Sequence, residues 1–220
     1  MKVLSTKGLS LSQKELLLNA GLSFVEYDCL KINFLPLGEI NLNDDIIITS
    51  KNAFRSIKDS QYWKVLQDKN WWVIGERTTA ELQKHNLNIK AVGKNSADLA
   101  QKIIQQNPEG RFTYFTGNMR REELPSMLRE HRVFFAEEIV YNTVLTPKKI
   151  EADFNGILFF SPSGVESYTL KNNIRDEFCF CIGNTTADEV RKFTDKIVIA
   201  NKASVENVIV QAVKCLKKEN

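Results

Sequence analysis

Ile46-Ile47-Ile48-Thr49-Ser50-Lys51-Asn52-Ala53, followed by Trp72-Val73-Ile74-Gly75-Glu76-Arg77-Thr78-Thr79, decides the reading of this chain, because the pattern recurs. The second copy is Leu158-Phe159-Phe160-Ser161-Pro162-Ser163-Gly164-Val165, followed by Phe180-Cys181-Ile182-Gly183-Asn184-Thr185-Thr186. Each copy is an apolar run ending in hydroxyl or amide residues, then a second apolar run ending in Ile-Gly and threonines. Ser50 and Gly75 are 25 residues apart and Ser161 and Gly183 are 22 apart, so the spacing is shared as well. An apolar strand that stops at small polar residues and then turns helical is half of a β-α unit. Two sets of such units predict two similar lobes with polar strand ends facing a common cleft.

Working outward, strands are expected at Lys2–Ser5 and Phe24–Asp28, then near 45–49, 71–75, 89–92, 112–116 and 132–136, and finally near 156–161, 178–182 and 196–200. Helical patterns separate most of them. Ser12–Asn19 precedes Gly21, which sits where a C-cap is expected. Ser96–Gln105 has Ser96 as its expected N-cap, with Ala97, Ala100 and Ile104 on one face. Arg121–Glu130 forms another, and Ser204–Lys217 closes the chain with Val205, Val208, Ile209, Ala212, Val213 and Leu216 on one stripe and lysines in the last turn. Extended pieces at Leu30–Leu35 and Glu138–Leu145 stop near Pro36 and Pro147. Five strands in the middle and five shared between the two ends predict an α/β chain of two small parallel-sheet, flavodoxin-like lobes. The first lobe is discontinuous (1–34 with 147–220), the second is inserted (38–137), and linker strands at 30–37 and 138–146 join them.

Bulk properties narrow the function. A net charge of +3 is too mild to indicate nucleic acid, and no zinc-finger spacing, helix-turn-helix or basic arm accompanies it. Four cysteines without a CxxC pair suit a reduced compartment, and Cys179 and Cys181 alternate as buried thiols along one strand. His85 and His131 stand apart, so no metal site is expected. The N-terminus lacks the apolar core of a signal peptide, and no run approaches the roughly 20 apolar residues of a membrane span. These features imply a soluble, cytoplasmic protein that needs no membrane or nucleic acid. Nothing calls for more than a monomer.

In order along the chain, the motifs resemble one family, the uroporphyrinogen-III synthases. Thr49-Ser50-Lys51-Asn52-Ala53 and Phe160-Ser161-Pro162-Ser163-Gly164-Val165 look like its two strand-end motifs. Ile74-Gly75 through Thr78 and Ile182-Gly183 through Thr186 resemble its Ile-Gly-threonine turns. Phe115-Thr116-Gly117-Asn118 with Arg120-Arg121 is similar to its Gly-Asn loop, and Val140-Tyr141-Asn142-Thr143-Val144 to its tyrosine-bearing linker strand. Lys51 stands where proline is common in the family, as does Asn184. The resemblance implies a hydro-lyase that closes the linear tetrapyrrole hydroxymethylbilane into a ring, inverting the last pyrrole and losing water without a cofactor.

Such a substrate carries acetate and propionate groups, which helix N-termini and their hydroxyl caps suit. The turns at Ser50, Thr78, Gly117, Ser161 and Thr186 are each expected to present a helix start. The resemblance then implies Ser50, Asn52, Thr78, Gly117, Asn118, Arg120, Ser161, Ser163, Gly164, Thr185 and Thr186 as substrate-binding residues. Arg120 is the basic residue expected at a helix start. Tyr141 is the expected catalytic residue, because a phenol with an ordinary pKa of about 10 remains protonated at neutral pH and can donate to a departing hydroxyl. The plainer reading is that serine, threonine and asparagine cap helices in any protein, and that tyrosine on a strand serves packing. Three readings of function remain: the synthase, a two-lobed sensor or binding protein for an acidic metabolite, and a relative that kept the fold without the activity.

Overall fold

The computed structural model describes residues 1–218. The order from the N-terminus is β1 (Lys2–Ser5), α1 (Leu11–Leu18), β2 (Ser23–Glu26) and β3 (Leu30–Phe34). Next come β4 (Asp45–Ile48), α2 (Lys51–Lys58), α3 (Trp63–Leu66), β5 (Asn70–Ile74), α4 (Glu76–Gln83), β6 (Asn88–Gly93), α5 (Ser96–Gln106), β7 (Arg111–Gly117), α6 (Glu123–Glu130) and β8 (Phe134–Leu145). The chain continues through β9 (Gly156–Phe159), α7 (Pro162–Thr169), β10 (Phe178–Cys181), α8 (Asn184–Val190), β11 (Ile197–Ile199) and α9 (Val205–Lys218). Two units result: Met1–Lys31 with the chain from Val144 onward, and Ile32–Thr143.

In the first unit the sheet runs β11-β10-β9-β1-β2, and every pair is parallel. A strand covered on both faces must be apolar on both, and β1 and β9 are. Val3 and Leu158 enter one cluster with Leu17, Val208, Ile209 and Leu216 of α1 and α9. Leu4, Ile157 and Phe159 enter the other with Val165, Tyr168, Ala187 and Val190 of α7 and α8. Helix α1 starts at a reciprocal capping box, in which Ser10 accepts from the Gln13 amide while the Gln13 side chain accepts from Ser10. Gly21, at φ +76°, supplies the left-handed residue that turns the chain into β2.

The second unit has a six-stranded sheet, β3-β8-β7-β4-β5-β6, in which β4, β5, β6, β7 and β8 pair in parallel. Ile46 and Ile48 meet Phe54, Ile57, Leu66 and Leu82 of α2, α3 and α4 on one face. Between them Ile47 points the other way, onto Leu99, Ile103, Leu124 and Leu128 of α5 and α6. The triple isoleucine that opens the repeated motif is therefore a central strand filling two cores at once.

Three local expectations change. The pieces expected at 132–136 and 138–145 are one strand, because β8 stays hydrogen-bonded past its bend. Helix α5 is capped by Asn95, whose side chain accepts from the Asp98 amide, so Ser96 is the first helical residue. Helix α6 begins at Glu123 rather than Arg121, without a side-chain cap.

Candidate functional site

Ligands in open parallel sheets settle beyond the carboxyl ends of strands, where the strand order reverses. In the second unit β5 and β6 lie to one side of β4, and β7 to the other, so the reversal falls between β4 and β7. A cavity of about 350 Å³ opens there. Thr49 and Ser50 follow β4, Ile74 ends β5, and Tyr114 and Thr116 come from β7. Lys94, Asn95 and Ser96 contribute the start of α5, while Met119, Arg120, Arg121 and Tyr141 complete the wall. The sequence reading missed Lys94 and Asn95 as site residues. Their signal was the run from Gly93 to Asp98, in which a strand stops at an amide cap with a carboxylate three residues later.

Ser50 caps α2, its side chain accepting from the Asn52 amide at 3.1 Å. The same oxygen accepts from the Tyr141 hydroxyl, also at 3.1 Å. Tyr141 reaches it because β8 is bulged. Thr116 pairs with Ile139 but Gly117 pairs with Tyr141, so Val140 is the extra residue. Val140 turns fully into the core, and its carbonyl accepts from Leu35 and from the Ser56 hydroxyl. Bulges re-aim the side chain that follows them, and here that side chain is Tyr141. Its ring comes down on Gly117, where a Cβ would lie 2.4 Å from Tyr141 Cζ.

Expectations at the neighbouring positions divide. Gly117 does not present a helix start; it ends β7, and a loop follows before α6. The Asn118 side chain accepts from Thr143 N at 2.7 Å and donates to the Thr143 carbonyl at 3.3 Å, while Asn118 N donates to the Tyr141 carbonyl at 3.2 Å. Arg120 lies in the loop, not on a helix. Its Nε donates to Glu137 Oε2 at 2.6 Å and its Nη2 to Glu137 Oε1 at 2.9 Å, with a further pair to Glu122. These hydrogen bonds raise the Arg120 pKa further above the ordinary arginine range and hold the Glu122 carboxyl below the usual carboxylate value. Arg129 joins both carboxylates. Thr78 is buried in the first turn of α4, behind Gly75, whose φ of +84° favours glycine. Asn52 reaches Ser50 through its backbone amide. Thus Ser50, Arg120 and Tyr141 share the cavity, Gly117 lies under the Tyr141 ring, and Asn52, Thr78 and Asn118 are not among its lining residues.

In the first unit the order reverses between β1 and β9. Thr6, just past β1, donates through Oγ1 to the Leu158 carbonyl at 2.7 Å. Ser161 caps α7 and accepts from the Gly164 amide at 3.0 Å. Gly164 is buried, and a Cβ there would stand 3.3 Å from both Cys29 Sγ and Ser161 Oγ. Ser163 is half-buried on the same turn. Gly183 leads into α8, with Thr185 exposed and Thr186 buried. Unlike Gly75, Gly183 has ordinary extended backbone at φ −177°. Two other cavities of this unit, of about 380 and 330 Å³, include Asp153, Arg175 and Glu177 and lie away from these strand ends.

Among the described residues no cluster of histidine, cysteine, aspartate and glutamate could hold a metal. No helix among them is long and apolar enough to cross a membrane. Burial pushes the Cys29 thiol up to about 11 and Cys181 to about 12.

The profile described as uroporphyrinogen-III synthase HemD matches residues 13–209. The chain belongs to the uroporphyrinogen-III synthase family. Its reaction is the family's, a hydro-lyase step that closes hydroxymethylbilane with inversion of the last pyrrole and loss of water. The fold is similar to that of uroporphyrinogen-III synthetase from Helicobacter pylori, with TM-score 0.77 and 19% identity over 97% of this chain and 99% of that one. A mutant uroporphyrinogen III synthase from Thermus thermophilus aligns at TM-score 0.69 and 15% identity over 100% of both chains. The wild-type Thermus protein in another crystal form aligns at 0.54 and 16% identity, over 100% of this chain and 99% of that chain. No curated protein sequence matches the chain significantly.

Proposed function

We propose that Tyr141 is the acid of the ring closure. The observation that carries this reading is the Tyr141 hydroxyl, held 3.1 Å from Ser50 Oγ at a cavity walled by Lys94, Arg120, Arg121 and two capped helix starts. As the C–O bond of the hydroxymethyl group breaks, the phenol proton passes to the departing oxygen, which leaves as water. The carbon left behind is a cation conjugated with its pyrrole. The last pyrrole attacks this cation through its already substituted carbon. The bond from that carbon to its old bridging carbon then breaks, and the pyrrole's free carbon bonds the cation so formed, which inverts the ring and releases one proton to restore the phenol. Ser50 orients the hydroxyl, and Gly117 gives the ring room.

The cavity's basic groups and helix N-termini suit acetate and propionate, each exposed dipole contact contributing about 0.3–1 kcal/mol. Arg120 would exchange one of its own carboxylates for one from the substrate. In the first unit, Ser161, Ser163, Gly164, Thr185 and Thr186 are proposed to donate to carboxylates in the same way. For Asn52 and Thr78 the proposed part is support, through the Ser50 cap and the α4 turn. The protein is proposed to act as a cytoplasmic monomer with a small-molecule substrate, independent of nucleic acid and membrane.

The purified chain should be supplied with hydroxymethylbilane and the ring isomer identified. Spontaneous closure gives the uninverted isomer. Formation of the inverted isomer by the wild type and its marked slowing in Tyr141→Phe support the acid role, and an undiminished rate in Tyr141→Phe overturns it.

A further inference from the structure

We infer that Asn118 is a positioning residue for this reaction, acting through Tyr141; the inference builds on the acid role given to Tyr141 above. After the bulge at Val140, β7 has no residue left to pair with the end of β8 except Asn118. Its backbone N–H takes the Tyr141 carbonyl at 3.2 Å, and its side-chain amide takes both the N–H and the C=O of Thr143, at 2.7 and 3.3 Å. The side chain thereby takes both backbone groups of Thr143, which in a parallel ladder would bond two different residues of the neighbouring strand. It continues the ladder for the two residues that follow Tyr141.

The chemistry of the residue suits the task. A carboxamide of this length carries a donor and an acceptor side by side, matching a backbone amide pair. Aspartate has the same shape but no donor, and its charge would face the Thr143 carbonyl. Asn118 is exposed, so its bonds contribute little to global stability, while they decide where the Tyr141 backbone sits. That backbone sets the height of the ring above Gly117 and the reach of its hydroxyl to Ser50. Proton transfer requires placement to a fraction of an ångström, and a misplacement of about 1 Å costs on the order of 100-fold.

The test is a cycle of Asn118→Ala, Asn118→Asp, Tyr141→Phe and the double variant Asn118→Ala/Tyr141→Phe. Both Asn118 variants should lower kcat about 10- to 100-fold with KM nearly unchanged. The double variant should be no slower than Tyr141→Phe alone, because one residue works through the other. Losses that multiply, a raised KM at unchanged kcat, or normal turnover in both variants would overturn the inference. A second readout does not depend on activity. With 13C-labelled tyrosine, five ring signals are expected, and Tyr141→Phe assigns one of them. That signal should shift or average faster in Asn118→Ala and Asn118→Asp, and an unmoved signal counts against positioning. If Tyr141→Phe keeps full turnover, the acid role falls. The ring signal then decides the positioning of Tyr141 on its own.

Discussion

Tyr141 lies so close to Gly117 that a methyl group on residue 117 would stand 2.4 Å from its Cζ and 2.8 Å from its hydroxyl oxygen. The φ of Gly117 is not in the left-handed region, so the glycine serves the ring rather than the backbone. Gly117→Ala should displace the ring, destabilise the protein by about 1–3 kcal/mol as overpacking does, and slow turnover more than it weakens binding. Thermal unfolding together with steady-state kinetics checks both parts. A variant with normal stability and rate would show that the ring has room to move.

Tyr141→Phe keeps the ring and removes only the proton. Turnover should fall about 10²- to 10⁴-fold, the range of a positioned general acid, with product affinity nearly intact. Rapid-quench assays and product titration measure the two separately. Unchanged turnover would remove Tyr141 from the chemistry.

Ser50 serves two partners, the Asn52 amide and the Tyr141 hydroxyl. Ser50→Ala should lose about 1 kcal/mol of cap stability and also slow the reaction, whereas Ser50→Thr keeps the oxygen and should recover most of both. If alanine lowers the unfolding temperature yet leaves kcat alone, the serine is a cap and nothing more.

Arg120 grips Glu137 with two bonds, so Arg120→Met should cost about 2 kcal/mol at neutral pH, typical of hydrogen bonds to charged groups. The pH dependence has a definite sign. The Arg120 and Arg129 guanidiniums hold the folded Glu122 carboxyl below its unfolded value, so its contribution is present above the ordinary glutamate pKa and is lost as pH falls through the folded one. The stability gap between wild type and variant should therefore narrow toward pH 3. Urea unfolding at several pH values measures it, and a constant gap would contradict the linkage.

Burial raises the Cys29, Cys179 and Cys181 thiols, and only a thiolate attacks a disulfide reagent. In the native protein at pH 8, half-buried Cys215 should react first and the other three only as the chain unfolds. Rapid titration of all four would indicate an opened core.

Much of the architecture was legible because parallel strands announce themselves twice, by apolar runs and by polar stops. Ile46-Ile47-Ile48 and Ile157-Leu158-Phe159 could be read as central strands since both faces of each are covered. The bulge at Val140 left no trace in the residue types, and β8 read as two pieces divided at Glu137, ahead of the bulge. Tyr141 and Ser50 could be named as site residues, but their mutual bond spans 91 positions and only folding reveals it. The commitment of Arg120 to Glu137 and of Asn118 to Thr143 was equally hidden. Basic and amide side chains next to a turn read as ligand contacts, and residue types alone do not show which own-chain partners they also hold. Lys94 and Asn95 escaped notice because their turn belongs to neither copy of the repeated motif.

The position of β1 has a consequence for how the chain is made. β1 is synthesised well before its neighbour β9, yet it lies inside its sheet, and Thr6 beside it bonds a carbonyl 152 residues farther on. The span from Ile32 to Thr143 is contiguous and complete before that partner, 15 residues beyond Thr143, is synthesised. Vectorial synthesis therefore favours finishing the inserted unit first, while the β1 edge that pairs with β9 stays open. Truncation just after Thr143 should leave one folded body with an unpaired amino-terminal tail.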